Sequence, residues 1–205
     1  QQTQASRVAE RLPPFLKAFP NVRRLARAPE SRILAAWSGL GYYRRARLLH
    51  AAGKQIVRRF DGVVPTVVED LRSLPGVGRY TAGAVSSIVF GARAPIADGN
   101  VARVLLRVEG EAMEHGAPAT MAWTWARAER LVRRAKDPGA FNEGLMELGA
   151  TLCMPRNPKC GECPLARRCR ARSTGMQDSI PAPKRRAERD VAHHAAIVVR
   201  DGAGL

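Results

Sequence analysis

The stretch Leu74-Pro75-Gly76-Val77-Gly78-Arg79-Tyr80-Thr81-Ala82-Gly83 carries the strongest structural signal in this chain of 205 residues. A proline and two closely spaced glycines precede an apolar run, a pattern typical of a tight hairpin between two helices. Glycine permits positive φ and lets the backbone approach a partner closely. The N–H groups of Val77 and Gly78 are then expected at the start of the second helix, where the helix dipole favours an anion. The same residues also suit a plain helix turn with glycine caps that binds nothing.

The composition indicates what that anion is. Lys and Arg number 34 against 18 Asp and Glu, a formal charge of +16, and hydrophobic residues make up 45% of the chain. A globular chain with this excess of positive charge usually meets a polyanion, and nucleic acid is expected before a membrane. The sequence has neither an apolar run of membrane-spanning length nor a secretory signal pattern. We therefore expect an intracellular protein, cytoplasmic and nucleoid-associated in a bacterium, that binds DNA through phosphate contacts.

Hydrophobic periodicity predicts an all-α chain of about nine or ten short helices with no strand before residue 195. A helix over 4–18 is expected to kink or split at Pro13-Pro14, and Thr66-Val67-Val68-Glu69 matches a capping box. The helix after the hairpin, over about 79–90, is rich in small residues that permit close packing. His50 falls inside a helix and is assigned no chemistry.

A second turn, just before another helix, combines aromatic and basic residues. It reads Trp37-Ser38-Gly39-Leu40-Gly41-Tyr42-Tyr43-Arg44-Arg45-Ala46-Arg47. Tyrosine rings at such a turn can stack on bases while arginines contact phosphates. We expect Trp37 to belong to the core, because large aromatic residues are usually packed. Tyr42, Arg44 and Arg47 are the candidate DNA-binding residues.

Four cysteines form the sharpest chemical motif. They are all the cysteines of the chain, and their spacing is Cys153-x6-Cys160-x2-Cys163-x5-Cys169. Clustered cysteines in an intracellular chain indicate a metal centre rather than disulfides. Zinc commonly takes two C-x2-C pairs, whereas only one exists here, and a [4Fe–4S] cluster also needs four cysteines. The residues alone favour iron–sulfur and leave zinc open.

Taken together, these motifs resemble the helix-hairpin-helix, Gly/Pro–Asp superfamily of DNA glycosylases, which includes endonuclease III and the adenine DNA glycosylases. The resemblance runs over nearly the whole chain and is strongest to the adenine-specific branch. It rests on Gln1-Gln2-Thr3, the Gly39 and Leu74 stretches, Asp98-Gly99-Asn100-Val101, Phe141-Asn142-Glu143 and the cysteine spacing. This resemblance implies that the cysteines hold a [4Fe–4S] cluster rather than zinc.

The resemblance implies an activity: removal of adenine mispaired with 8-oxoguanine or guanine in double-stranded DNA, by a monomeric hydrolase of base excision repair. Asp98 matches the family's aspartate, which stabilises the cationic sugar, and its place before the pattern of Val101 and Val104 makes it a helix N-cap. Tyr80 and Glu143 match positions in the adenine pocket. The DNA contacts implied are those of Gln2, Thr3, Tyr42, Arg44, Arg47, Gly76, Val77, Gly78 and Arg79.

The resemblance also implies the domain organisation. A six-helix domain with the hairpin is expected over 1–92 and a cluster domain over 93–172, giving a two-lobed fold. A linker over 173–190 then leads to a domain like the 8-oxo-dGTP hydrolase at 191–205, of which the strand at 195–200 would be the beginning. The family's general-acid glutamate lies a few residues before the Gln-Gln-Thr motif, upstream of Gln1. We expect this chain by itself to bind lesion DNA and to excise poorly.

Three alternatives stay open. An endonuclease III-like enzyme for oxidised pyrimidines would place a lysine where Tyr80 stands, to form a Schiff base. A thymine glycosylase acting on T·G mismatches can carry tyrosine there. A non-catalytic DNA-binding module could use the hairpin and the cluster alone.

Overall fold

The computed structural model describes residues 5–184, and these fold into ten α-helices with one isolated β-bridge, between Glu114 and Ala182. Within the described residues, no helix is both long and apolar enough to cross a bilayer. The predicted strand at 195–200, Gln2 and Thr3 lie outside the described part. The helices are α1 Ala5–Ala18, α2 Val22–Arg27, α3 Glu30–Ala36, α4 Arg44–Arg59, α5 Val68–Arg72, α6 Arg79–Phe90, α7 Gly99–Glu109, α8 Pro118–Val132, α9 Pro138–Glu147 and α10 Arg170–Ser173.

The prediction of an all-α fold is confirmed, and the helices pack around separate apolar clusters. The first cluster joins α1, α2, α3 and α4, and the second joins α4, α5 and α6. A third, the largest, is built around Ile96, Val101 and Leu105 and takes in α7, α8 and α9. Helix α6 connects the halves, because its small residues let it lie directly against the 94–97 segment and α9.

Gly83 makes this close approach possible. A Cβ at this position would lie 2.1 Å from the carbonyl oxygen of Pro95. The buried side chain of Asn142 completes the junction by donating to Ser87 Oγ at 2.8 Å and to the Ala94 carbonyl at 2.9 Å. The expectation that small residues in α6 serve packing is met at this glycine.

Two local expectations are wrong. The capping box at Thr66 does not form: α5 begins at Val68, its N-cap is Val67, and no side chain caps it. The carbonyl of Thr66 instead accepts a hydrogen bond from Ser86 Oγ at 3.1 Å, a tertiary contact with α6. The split at Pro13-Pro14 is also absent, since α1 runs through both prolines. Packing of the following residues Phe15, Ala18 and Phe19 against α3 and its neighbours holds this end of the helix in place.

The boundaries of the later elements also differ from the sequence pattern. Helix α9 ends at Glu147 and continues as a π-helical turn, Leu148–Leu152, which leads into the first cysteine. The predicted linker 173–190 is described to residue 184, and this part is not a free spacer. Ile180 is buried against Leu106 and Ala171, and its carbonyl accepts a hydrogen bond from an arginine of α7, so the segment is docked on that helix.

Candidate active site, DNA-facing turns and cysteine cavity

The hairpin between α5 and α6 uses its two glycines differently. Gly76 has φ +78°, and a Cβ there would lie 2.8 Å from Leu48 Cβ, so both conformation and space require glycine. Gly78 is the N-cap of α6 with φ −83° and ψ 177°, an extended conformation open to any residue. The N–H of Val77 donates to the Leu74 carbonyl at 3.1 Å. The Val77 amide is thus engaged within the turn, and its contact with an anion stays a prediction, as does that of the Gly78 amide at the start of α6.

Arg79 opens α6 and stacks on a neighbouring helix. Its guanidinium carbon lies 3.8 Å from the ring centroid of Trp125 on α8. A cation held this close to an aromatic face is ordered by the ring quadrupole. The Arg79 side chain, which is predicted to contact DNA, is thus held in place beside the hairpin.

The second turn presents an exposed tyrosine on strained backbone. Tyr42 is 63% exposed with φ +46°, a conformation uncommon for a bulky residue. Arg45 lies 5.5 Å from its ring centroid and 5.6 Å from that of Trp37, so one guanidinium bridges the two rings. Trp37 Nε1 donates to the Gly41 carbonyl at 3.1 Å and fixes the turn. Trp37 is a packing residue as expected, and the ring of Tyr42 is available for stacking.

The two arginines predicted beside this turn differ in their surroundings. Arg44 is the exposed first residue of α4. Arg47 is exposed too, but its Nε pairs with Glu30 Oε1 at 2.9 Å. An exposed ion pair contributes little and exchanges readily, so Arg47 remains a candidate for a phosphate contact beside Glu30.

Asp98, Tyr80 and α9 meet at one place. Asp98 is the N-cap of α7, and its Oδ1 accepts the Val101 N–H at 2.8 Å. The Tyr80 hydroxyl, on α6, donates to Met146 Sδ on α9 at 2.7 Å. Glu143 is exposed and precedes Met146 by three residues, so both lie on one face of α9. The fold therefore places Tyr80 close both to the Asp98 carboxylate and to Met146, which follows it by 66 residues.

The electrostatics of this group follow from burial. The pKa of Tyr80 lies above its ordinary value of 10.0, first because burial disfavours the phenolate and second because the charge of Asp98 opposes it. Tyr80 is consequently a neutral hydrogen-bond donor at physiological pH.

We expect a difference titration to show this directly. Tyrosinate absorbance of the parent protein minus that of Tyr80→Phe gives the curve of Tyr80 alone, with a midpoint expected above 10.0. Because the folded pKa exceeds the unfolded one, the contribution of Tyr80 to stability is complete below pH 10.0 and is lost as the pH rises through the folded pKa. A midpoint at or below 10.0 would show that Tyr80 is neither buried nor close to the carboxylate.

A buried arginine connects this region to the cysteines. Arg103 on α7 donates to Asn100 Oδ1 at 2.9 Å, to the Gly149 carbonyl at 2.8 Å and to the Cys153 carbonyl at 2.7 Å. Burial lowers the pKa of Arg103, and the Cys153 thiolate and Asp98 oppose that change. The first turn of α7 is thus tied to the start of the cysteine segment.

The four cysteines line one cavity. Burial raises the pKa of the Cys160 thiol, and the charges of Cys169, Cys153 and Cys163 raise it further, so the four cysteines lie close enough to interact. Between residues 5 and 184, no group of three or more Cys, His, Asp or Glu side chains is placed to hold a single ion. One zinc would need all its thiolates about 2.3 Å from one point. Sulfurs spread around a cavity fit a larger cluster instead.

Two polar side chains at the cavity fit a sulfur-rich group. Arg107 Nη1 donates to Cys153 Sγ at 3.4 Å. The Oε1 of Gln177 is buried without a hydrogen-bond partner among the described residues, and Gln177 borders the same cavity. The oxygen and nitrogen of an amide are assigned from their partners. Turning the amide places its NH₂ at the buried position, where it can donate to a cluster sulfur.

Substituting a ligand tests this centre. Cys163→Ser is expected to abolish most of the iron bound per chain and to lower the unfolding midpoint, because the cavity then lacks one of its four thiolates. Colorimetric iron assay and thermal melting measure the two effects. Ser173→Ala, an exposed site on α10 outside the cavity, is the control. Full iron content in Cys163→Ser would contradict the assignment.

Sequence reasoning missed Arg103, Arg107 and Met146 as residues of this region. The first two had a usable signal: with Asn100 they form a polar stripe at helical spacing along an otherwise apolar helix. Met146 had none, because a methionine in an amphipathic helix looks like any core residue.

Comparison with known proteins agrees with this geometry. The sequence profile of the HhH-GPD superfamily of base excision DNA repair proteins matches residues 1–130, and that of the iron-sulfur binding domain of endonuclease III matches residues 153–169. The chain belongs to the HhH-GPD superfamily of base excision DNA repair proteins. The predicted [4Fe–4S] cofactor, held by the four cysteines, is confirmed by the second match.

Within the superfamily, the curated relatives of this chain include adenine DNA glycosylases. The Homo sapiens protein is 41% identical over 183 residues, covering 89% of this chain and 33% of that protein. The protein of Mycobacterium tuberculosis (strain ATCC 25618 / H37Rv) is 40% identical over 185 residues, covering 90% of this chain and 60% of that protein. The chain thus spans between a third and three fifths of these relatives.

Solved structures share the fold. A thermostable thymine-DNA glycosylase superposes with a TM-score of 0.76 at 28% identity, covering 85% of this chain and 80% of that one. A non-covalent endonuclease III–DNA complex gives a TM-score of 0.69 at 23% identity, covering 86% and 80%. The second likeness concerns the fold alone.

Proposed function

We propose that this chain is the glycosylase part of an enzyme that excises adenine paired with 8-oxoguanine or guanine, by hydrolysis of the N-glycosidic bond. The observation that carries the proposal is the Asp98 carboxylate, held at the N-terminus of α7 beside Tyr80. The relatives that share about 40% identity over most of this chain support adenine as the base. The proposed division into a hairpin domain over 1–92 and a cluster domain over 93–172 falls just after α6.

The proposed reaction begins with extrusion of the adenine from the duplex, because an enzyme cannot reach the glycosidic bond of a stacked base. The exposed ring of Tyr42 fills part of the space in the stack, and amides of the hairpin hold a phosphate. Breaking the bond leaves a sugar with oxocarbenium character, which the negative Asp98 stabilises or traps. The α7 dipole favours that negative charge.

The leaving adenine also needs a proton. The family resemblance assigns this general-acid role to a glutamate upstream of Gln1. Among the described residues, Glu143 is the carboxylate proposed to share in this proton transfer. It is exposed on the face of α9 that carries Met146. The 205-residue chain by itself is therefore proposed to bind the lesion and to excise it slowly. The four cysteines would hold the cluster, which, when present in the protein, would supply structural support near the DNA.

A single-turnover assay tests the proposal. The chain is mixed in excess with a duplex holding adenine opposite 8-oxoguanine, abasic sites are revealed with alkali, and binding is measured by gel shift on the same samples. Tight binding with slow excision is the expected result. Fast excision would assign the proton to another residue, Glu143 first, and would overturn the proposed role of the upstream glutamate. Absence of lesion-specific binding would overturn the proposal that this mispair is the substrate.

A second candidate substrate is thymine opposite guanine. The likeness to a thymine-DNA glycosylase at a TM-score of 0.76 and 28% identity favours it. The same assay with a T·G duplex separates the two, and preference for A·8-oxoguanine is expected.

With tyrosine at position 80, no lysine-type Schiff base forms there, so no strand cleavage should occur without alkali.

A further inference from the structure

Arg107 is a buried cation with no acidic partner. Its side chain is on α7 and the residue is 2% exposed. Among residues 5–184 it forms no ion pair with a carboxylate; the ion pairs there involve other arginines. Burying an unpaired charge is strongly unfavourable. Some other negative group must balance this guanidinium.

The Arg107 guanidinium donates to polar groups at both ends of the cysteine segment. Nη1 donates to the Met154 carbonyl at 2.7 Å and Nη2 to the Pro155 carbonyl at 3.1 Å, both just after the first cysteine. Nε donates to the Ile180 carbonyl at 2.8 Å, in the segment after the last cysteine. The forked guanidinium of Arg107 therefore ties both ends of the cysteine segment to α7.

The surroundings of the cavity point to the source of negative charge. The described residues that line it include Arg107, Lys159 and Arg172 but neither aspartate nor glutamate. Arg107 Nη1 lies 3.4 Å from Cys153 Sγ, and Cys169 Sγ lies 3.3 Å from the Arg107 carbonyl. Among the described residues at the cavity, the only groups that can carry negative charge are the four sulfurs, together with whatever they bind.

We propose that the iron–sulfur cluster is the counter-ion of Arg107, and that this buried guanidinium raises the reduction potential of the cluster and slows its loss of iron. Reduction by one electron adds one negative charge to the cluster. A fixed positive charge and an N–H···S hydrogen bond stabilise the more negative state, so both raise the potential. Arg107 is a positioning residue in this role, since it acts through the cysteine sulfur and the loop carbonyls.

Two substitutions separate charge from packing. Arg107→Met removes the charge and the donors while keeping most of the side-chain volume, whereas Arg107→Lys keeps the charge and loses the fork. The control is Arg127→Met on α8, which removes an arginine paired with Glu109 outside the cavity. The reduction potential of the purified holoprotein is measured electrochemically, and iron release is followed with a chelator.

Arg107→Met is expected to have a more negative potential and to release iron about 10- to 100-fold faster, the usual effect of losing a partner of a metal ligand. Arg107→Lys should keep a potential close to that of the parent protein, and Arg127→Met should match the parent in both measurements. If Arg107→Met assembles no cluster while Arg107→Lys does, the need for charge is equally established. The proposal would be overturned if both Arg107 variants kept the reduction potential of the parent protein. It would also be overturned if Arg107→Met and Arg107→Lys lost iron at the same rate.

Discussion

Asp98→Asn is expected to lower the single-turnover rate of adenine excision in the full-length protein by about 10²- to 10⁴-fold, the range typical of a positioned catalytic group. The physical reason is loss of the negative charge next to the developing cationic sugar. Asparagine caps helices as well as aspartate does, and its Oδ1 can accept the Val101 N–H, which lies 2.8 Å from Asp98 Oδ1. Duplex binding and stability should therefore stay close to those of the parent.

Asp137→Asn is the matched control for this experiment. Asp137 caps α9 as Asp98 caps α7, accepting the Ala140 N–H at 2.9 Å, but it is exposed. The same chemical change in the same structural role should leave excision unaltered. An equal loss of activity in both variants would mean that the charge at Asp98 matters only for folding.

Gly83→Ala is expected to destabilise the protein by about 3 kcal/mol, near the upper end of the range for overpacked cores. The added methyl would lie 2.1 Å from the Pro95 carbonyl oxygen. A backbone atom cannot swing away as a side chain can, so α6 must separate from the 94–97 segment. That segment leads directly into Asp98, and excision should decline together with stability. Denaturant unfolding followed by circular dichroism measures the change.

Gly144→Ala provides the comparison. Gly144 is also helical, but an added Cβ there meets nothing within 4 Å. Alanine should stabilise α9 by about 0.5–1 kcal/mol through its better helix propensity. The two alanine substitutions are thus predicted to have opposite signs. Destabilisation of similar size at both positions would show that the Pro95 contact is not what makes Gly83 necessary.

The sequence was sufficient for features whose determinants are adjacent in the chain. Pro75 and Gly76 define the hairpin because a fixed φ and a positive φ are local properties. Asp98 was placed at the start of α7 because capping involves only the next few residues. The cysteine spacing fixed the ligand set in the same way, since the four thiols lie within one short segment.

Local patterns failed where a tertiary contact decided the outcome. Thr66 does not cap α5: the N-cap is Val67, and the Thr66 carbonyl instead accepts a tertiary hydrogen bond from Ser86 of α6. The polar segment after α10 does not remain free, because Ile180 finds an apolar site on α7. In both cases the competing partner is distant in sequence, so no window of neighbouring residues could reveal it.

The sequence by itself therefore determined the helical class, the hairpin, the N-cap aspartate and the iron–sulfur ligands. Only the tertiary structure decided what surrounds them: Met146 against the Tyr80 hydroxyl, and Arg103 and Arg107 buried rather than solvated. Apart from Asn100, the acceptors of these two arginines lie 46 to 73 residues away in the chain. An arginine is stable inside a protein only when such acceptors converge on it, and that convergence is a property of the packed fold.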